Sequence, residues 1–389
     1  MKSSLADTQA RVVRVLISAL ALPPAAEQFG RTTALLGSVP QLDSMSVLSV
    51  VLALEQEFAI QIPEYDITAE EFESVGSLTD YVERRLCETA AKRQSKPLEH
   101  AARLHIARTV SELTKIVSAW RSSGARIGLV PTMGALHAGH MALVQAARAK
   151  CDNVILTIFV NPGQFTPAAF ATYPRAEHAD IDLAAEHGVD LVFAPAAAEI
   201  YPDGFSTTVS VGSFAAEFAP EGRARYFDSV ATIVAKLVLL SQAHHAYFGE
   251  KDYEQLAVIR KMARELNLPA AIEGVPTVRE RDGLALASSN RFLTDTERRI
   301  APTLYSVLSR VASRLAHQGS SIEAEIAAAK ADLLAAGFRK IEYLTVRDAE
   351  TLAPISSIDR PARVLATAWL GKPRLIDSVA VIPVPPNQR

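Results

Sequence analysis

The chain has 389 residues, enough for two or three domains. Hydrophobic residues make up 49%, which excludes global disorder, and the net charge of −3 offers no basic surplus for nucleic acid. Its two cysteines, Cys87 and Cys151, exclude a disulfide framework and a cysteine-only zinc site, so a reducing cytoplasm is the expected compartment.

No apolar run reaches the roughly 18 residues needed to span a bilayer, and no membrane partner is expected. Val12–Leu22 is interrupted by Arg14 and preceded by Asp7. It reads as an amphipathic helix rather than the core of a signal peptide.

The region up to about Glu88 reads as helical. Within Val39–Phe58, an apolar stripe at helical spacing runs through Met45, Leu48, Val51, Leu52 and Phe58. Asp43 and Ser44 stand where that helix should begin, and N-capping alone would account for them. A second helix is expected from Ser77, with Asp80 placed three residues on, close to a capping box. Leu78, Tyr81, Val82 and Leu86 would line its buried face, and the acidic loop Ile62–Gly76 lies between the two helices.

This arrangement, with its Asp-Ser-Met run, resembles an acyl carrier protein. The resemblance implies an all-α carrier bundle over residues 1–89. It also implies 4′-phosphopantetheine attached covalently to Ser44 by a phosphopantetheinyl transferase. The acidic face of Glu55, Glu57, Glu70, Glu71 and Glu73 would dock other carrier-dependent enzymes, or simply be solvated.

Residues 90–104 read as a linker, after which strands and helices alternate. Arg126–Val130, Asn153–Val160, Val189–Ala194 and Ala246–Phe248 are strand-like, and Met141–Lys150 and Ser229–Leu240 helical. Such alternation predicts a parallel sheet covered on both faces. Helices at Ala301–Leu315 and Ile322–Ala336 follow, then strands at Ile341–Val346 and Arg363–Ala368.

Three motifs fall just beyond the carboxyl ends of strands, where open parallel sheets bind ligands. In Leu129–Arg148, Gly134, His137, Gly139 and His140 form a turn and an HxGH helix start. A helix N-terminus attracts phosphate, and two imidazoles three residues apart share one helix face. In Phe248–Leu256, Lys251 can reach an anionic phosphate, with Asp252 and Gln255 in the first turn. In Phe159–Phe165, Asn161 and Gln164 are neutral hydrogen-bonding groups suited to a small hydroxy acid.

Together with Tyr173-Pro-Arg, YPDG at Tyr201, GVPTVRERDGLAL and RLIDSVAV, these motifs resemble the pantothenate synthetase (pantoate–β-alanine ligase) family. The resemblance implies a Rossmann-like nucleotidyltransferase domain over 105–276, a smaller α+β lid domain over 277–389, and a homodimer. The implied reaction adenylates a hydroxy acid with ATP and Mg²⁺, then passes the acyl group to an amine. It places Met133, Gly134, Gly139, Gly249, Asp252, Val278, Leu286, Ser288 and Ser289 at ATP. It makes His140 the proton donor, with His137 beside it and Lys251 neutralising phosphate. Asn161, Gln164, Gln255 and Tyr173 would border the acid, and Asp180 is the candidate Mg²⁺ contact.

The chain departs from the family pattern at several of these positions. Where Ser-Ser-Arg-Asn is expected, it has Ala287, Ser288, Ser289 and Asn290, so an arginine is replaced by Ser289. Tyr226-Phe-Asp-Ser229 replaces His-Phe-x-Gly, and Gly163 replaces a methionine. Serine cannot reproduce a bidentate guanidinium clamp on phosphate, although Arg291 stands two residues away. The departures and the fused carrier point to a specialised relative acting on pantoate and β-alanine or on analogues. Three other readings stay open: loading of the adenylate onto the chain's own carrier thiol, ATP-independent transfer of a carrier-bound thioester, and a non-catalytic scaffold.

Overall fold

The structure, a computed structural model, describes residues 5–20, 22–23, 29–35, 44–58, 60, 62, 70–86, 104–212, 214, 224–317 and 321–383. Asp43, Cys87 and almost all of the expected linker lie outside these residues. The chain divides into two compact units, Met1–Glu99 and His100–Arg389.

In the first unit, helices α1 (Leu5–Leu20), α2 (Ser44–Phe58) and α3 (75–86) share one apolar core. Val12, Leu16, Val50, Leu54, Val75, Leu78 and Val82 are fully buried in it. Val51 and Phe58 of the expected stripe are buried in α2, with Val50 and Leu54 beside them, while the side chains of Met45, Leu48 and Leu52 lie outside what the structure describes. The start of α3 differs from expectation. Ser74 and Ser77 exchange backbone-to-hydroxyl hydrogen bonds at 2.9 and 3.0 Å, which caps the helix at Ser74. Asp80 is turned away from that end and accepts from Arg31.

The second unit is built on six parallel strands. They are β1 (His105–Ala107), β2 (Ile127–Thr132), β3 (Asn153–Ile158), β4 (Leu191–Phe193), β5 (His245–Gly249) and β6 (Ala271–Val275), in the order β1-β4-β3-β2-β5-β6. Ile127, Leu129, Val130, Val154, Ile155 and Leu156 have no exposed surface, as strands covered on both faces require. Helices α4 (Val110–Ser122), α5 (Ala138–Lys150), α6 (Glu177–Glu186), α7 (Ala224–Ser241) and α8 (Tyr253–Glu265) connect them. After β4 the chain crosses back to the far side of β2, where β5 pairs with it. The strand order thus reverses between β2 and β5. The carboxyl ends of these two strands open a crevice at that switch point.

Beyond β6 lies an α+β region. Helices α9 (Thr303–Ala316) and α10 (Ile322–Ala335) pack on an antiparallel sheet of β7 (Lys340–Asp348), β8 (Ala362–Trp369) and β9 (Arg374–Val381). Arg279 is anchored to it by a two-pronged ion pair with Asp377 at 2.6 and 2.8 Å, and its guanidinium lies 3.7 Å from the Tyr305 ring centre. No helix among the described residues is long and apolar enough to cross a membrane.

Candidate active site

The loop after β2 has an unusual backbone. Gly134 and Ala135 both adopt positive φ, at 77° and 52°. Glycine takes this conformation freely, whereas alanine is strained in it. Asp180 of α6 holds the turn in place. Its carboxylate accepts the N–H groups of Ala135 and Leu136 at 2.9 and 2.7 Å, and the residue is only 4% exposed.

Both oxygens of Asp180, the expected Mg²⁺ contact, are thus engaged by the loop backbone. Among the described residues, no cluster of three His, Cys, Asp or Glu side chains could hold a metal. A Mg²⁺ ion bound through substrate phosphates needs no such cluster. Replacing Asp180 by alanine would leave two N–H groups unpaired. It is expected to lower unfolding free energy by about 2–4 kcal/mol and to weaken ATP binding, as urea denaturation and nucleotide titration would show.

The loop delivers two imidazoles to the start of α5. His137 is the N-cap, and its Nδ1 accepts the Gly139 N–H at 3.1 Å. His140 Nδ1 in turn accepts the His137 N–H at 3.2 Å. This reciprocal capping leaves the proton of each neutral ring on Nε2. The ring centres are 4.1 Å apart. Burial, then His137 and Lys251, push His140 down to about 3, and burial and Lys251 lower His137 as well. His140 is therefore neutral at pH 7 and presents its Nε2–H as a hydrogen-bond donor. Gly139 is required here, because a Cβ would lie 2.8 Å from the His137 ring.

These imidazoles open onto a cavity of about 340 Å³ at the switch point, a volume suited to small ligands. Met133 and Gly139 line it from the loop after β2 and the start of α5, Gly249 and Asp252 from the end of β5, and Val278, Leu286, Ser288 and Ser289 from the segment after β6. Lys251 reaches in from the end of β5, steadied by Asp252 at 3.2 Å. Among the described residues, Lys251 is the sole lysine or arginine on the lining.

Asn161, Gln164, Tyr173 and Gln255 gather at the same cavity. Tyr173 hydrogen-bonds Ser288, and burial raises its pKa. Nothing in the sequence marks the apolar wall formed by Phe159, Val230, Ile233, Val234, Leu237 and Phe248. Its four α7 members recur at i, i+3, i+4 and i+7, a pattern identical to an ordinary core stripe.

The substituted positions can now be placed. A Cβ on Gly163 would lie 2.7 Å from the Ser229 hydroxyl. The expected methionine and glycine have thus become glycine and serine as a matched pair. Ser289 and Lys251 border a second, small cavity of about 70 Å³, together with Tyr305, Arg374 and Asp377. Arg374 is committed to Glu342 through two contacts of 2.9 Å. Arg291 does not replace the missing arginine in this conformation. It stacks 4.8 Å from the Phe292 ring and lines a neighbouring groove with Asp180.

Comparison with known proteins agrees with this geometry. Residues 105–380 match the family model of pantoate-beta-alanine ligase. The chain belongs to that family. It is 49% identical to the pantothenate synthetases of Chelativorans sp. (strain BNC1) and Dinoroseobacter shibae, over 71% of its own length and 97% and 99% of theirs. The crystal structure of the pantothenate synthetase from Thermus thermophilus matches with a TM-score of 0.66 and 43% identity, covering 72% of this chain and 100% of that one. The chain is accordingly an ATP-dependent ligase that forms a carbon–nitrogen bond through an acyl adenylate. The family match begins at residue 105, so the first unit lies outside it.

Proposed function

We propose that this ligase adenylates pantoate or a close hydroxy-acid analogue and transfers the acyl group to β-alanine or a related amine. The observation that carries this reading is the shared cavity. Two imidazole donors, one lysine, the side-chain amides and a branched apolar wall line it together. The acid carboxylate attacks the α-phosphorus and pyrophosphate leaves. The amine then attacks the acyl carbonyl, AMP leaves with the C–O bond broken, and the amine gives up a proton. Nε2–H of His137 and His140 and the Lys251 ammonium stabilise charge on the phosphate oxygens. The amides fix the acid in line, and the apolar wall holds its alkyl part away from water.

The first unit is proposed to be a carrier domain bearing 4′-phosphopantetheine on Ser44. Ser44 is the first residue of α2, and a helix N-terminus is a favourable seat for a phosphodiester. The bound arm would supply a thiol that holds acyl groups, installed by a phosphopantetheinyl transferase. A homodimer working on freely diffusing substrates completes the proposal.

A test treats the protein with a phosphopantetheinyl transferase, then adds ATP, Mg²⁺ and pantoate with and without β-alanine. AMP and a free amide, formed with β-alanine and without acyl mass on the protein, are expected. Acyl mass on Ser44, lost in Ser44→Ala, would favour the self-loading reading instead. The missing lid arginine makes a further prediction. Ser289→Arg is expected to raise kcat/KM for ATP by about 10- to 100-fold, measured as AMP release.

A further inference from the structure

Each of the two glutamines, Gln164 and Gln255, is held by a neighbouring side chain, and one of these neighbours, Tyr226, is a position where the chain departs from the family pattern. Asn161, only 1% exposed, gives one amide hydrogen to the Ser229 carbonyl at 3.2 Å. A carbonyl only accepts, so this contact fixes which end of the Asn161 amide is nitrogen. The Tyr201 hydroxyl agrees with this assignment by donating to Asn161 Oδ1 at 2.9 Å. Asn161 donates its second amide hydrogen to Gln164 Oε1 at 3.0 Å. The carbonyl of Gln164 is thereby turned to Asn161, leaving its NH₂ to the cavity. On the other side, the Tyr226 hydroxyl donates to Gln255 Oε1 at 3.1 Å. The Tyr226 ring packs edge-on against Phe227, with ring centres 5.4 Å apart, and lines the same cavity.

We propose that Tyr226 is a positioning residue for the acid site: it turns the Gln255 NH₂ toward the cavity, as Asn161 does for Gln164, so that the site selects acids presenting two acceptors, a carboxylate and a hydroxyl. The selection follows from hydrogen-bond inventory. Two amide donors facing one ligand leave unpaired N–H groups when either acceptor is missing. The inference rests on the acid-adenylating reading for its substrate class, but binding tests it independently of turnover.

The experiment is calorimetric titration of pantoate and of its deoxy analogue into the full chain. Wild type, Tyr226→Phe, Gln255→Met and the double variant are compared, with the KM values for acid and ATP measured alongside. Tyr226→Phe keeps the ring and removes only the hydroxyl. It is expected to weaken pantoate about tenfold, shrink discrimination against the deoxy acid, and move the ATP KM less than about twofold. In the Gln255→Met background, the same change should add nothing, because Tyr226 acts through Gln255. Unchanged pantoate affinity in Tyr226→Phe would overturn the inference, as would an equal further loss in the double variant. Tight binding without any AMP release would overturn the adenylation reading and leave the role of Tyr226 standing. No binding of hydroxy acid by wild type would overturn both.

Discussion

Replacing His140 by alanine is expected to lower kcat/KM for AMP release by about 10²- to 10³-fold, the range for losing one preorganised donor at a developing charge. His140 is held by its Nδ1 against the His137 N–H, so its Nε2–H is aimed before substrate arrives. The ring acts as a neutral donor, because burial beside His137 and Lys251 pushes it down to about 3. Its own titration should therefore leave no acidic limb near pH 6.5 in the rate profile of the free enzyme. The sign for stability follows from the same shift. The folded pKa lies below the unfolded value, so the unfolded chain takes up the proton first. Stability from this site is full above about pH 6.5 and declines as pH falls toward about 3. Urea midpoints at about pH 7 and about pH 4.5 should fall further apart in wild type than in His140→Gln. Equal gaps would contradict a buried neutral imidazole.

Lys251→Met is expected to cost about 10²- to 10³-fold in kcat/KM for ATP, with glutamines and apolar wall left in place. The size of the effect comes from its isolation. Lys251 is the sole cation lining the cavity among the described residues, and Ser289 stands where a second was expected. The two positions border the same small cavity. Ser289→Arg should therefore raise activity by a larger factor in the Lys251→Met background than in wild type, a coupling that distant, independent sites would not show. AMP release under saturating acid and amine measures both.

The parts of the molecule legible in the sequence are those where backbone geometry dictates residue type. Positive φ at Gly134 and the close approach at Gly139 demand glycine, and they mark the phosphate loop. The buried strands β2 and β3 appear as unbroken apolar runs because both faces are covered. By contrast, β6 is not legible. It is a partly exposed edge strand whose apolar run is broken by Glu273 and Gly274. The role of Asp180 is hidden because its partners lie 44 and 45 residues away. The four α7 residues of the apolar wall are hidden for another reason. Sequence periodicity identifies a buried face, but not whether the buried face meets a core or a ligand.

Attack of the acid's carboxylate on the α-phosphorus of ATP in this cavity is the step on which the proposed chemistry depends. Its most direct test uses hydroxy acid labelled with ¹⁸O in the carboxyl group, together with ATP, Mg²⁺ and the amine. One labelled oxygen is predicted to appear in the AMP, since the acyl C–O bond breaks when the amine attacks, and labelled AMP should form about 10²- to 10³-fold more slowly in His140→Ala. Unlabelled AMP, or amide formed with no AMP at all, would contradict adenylation and favour transfer from a thioester.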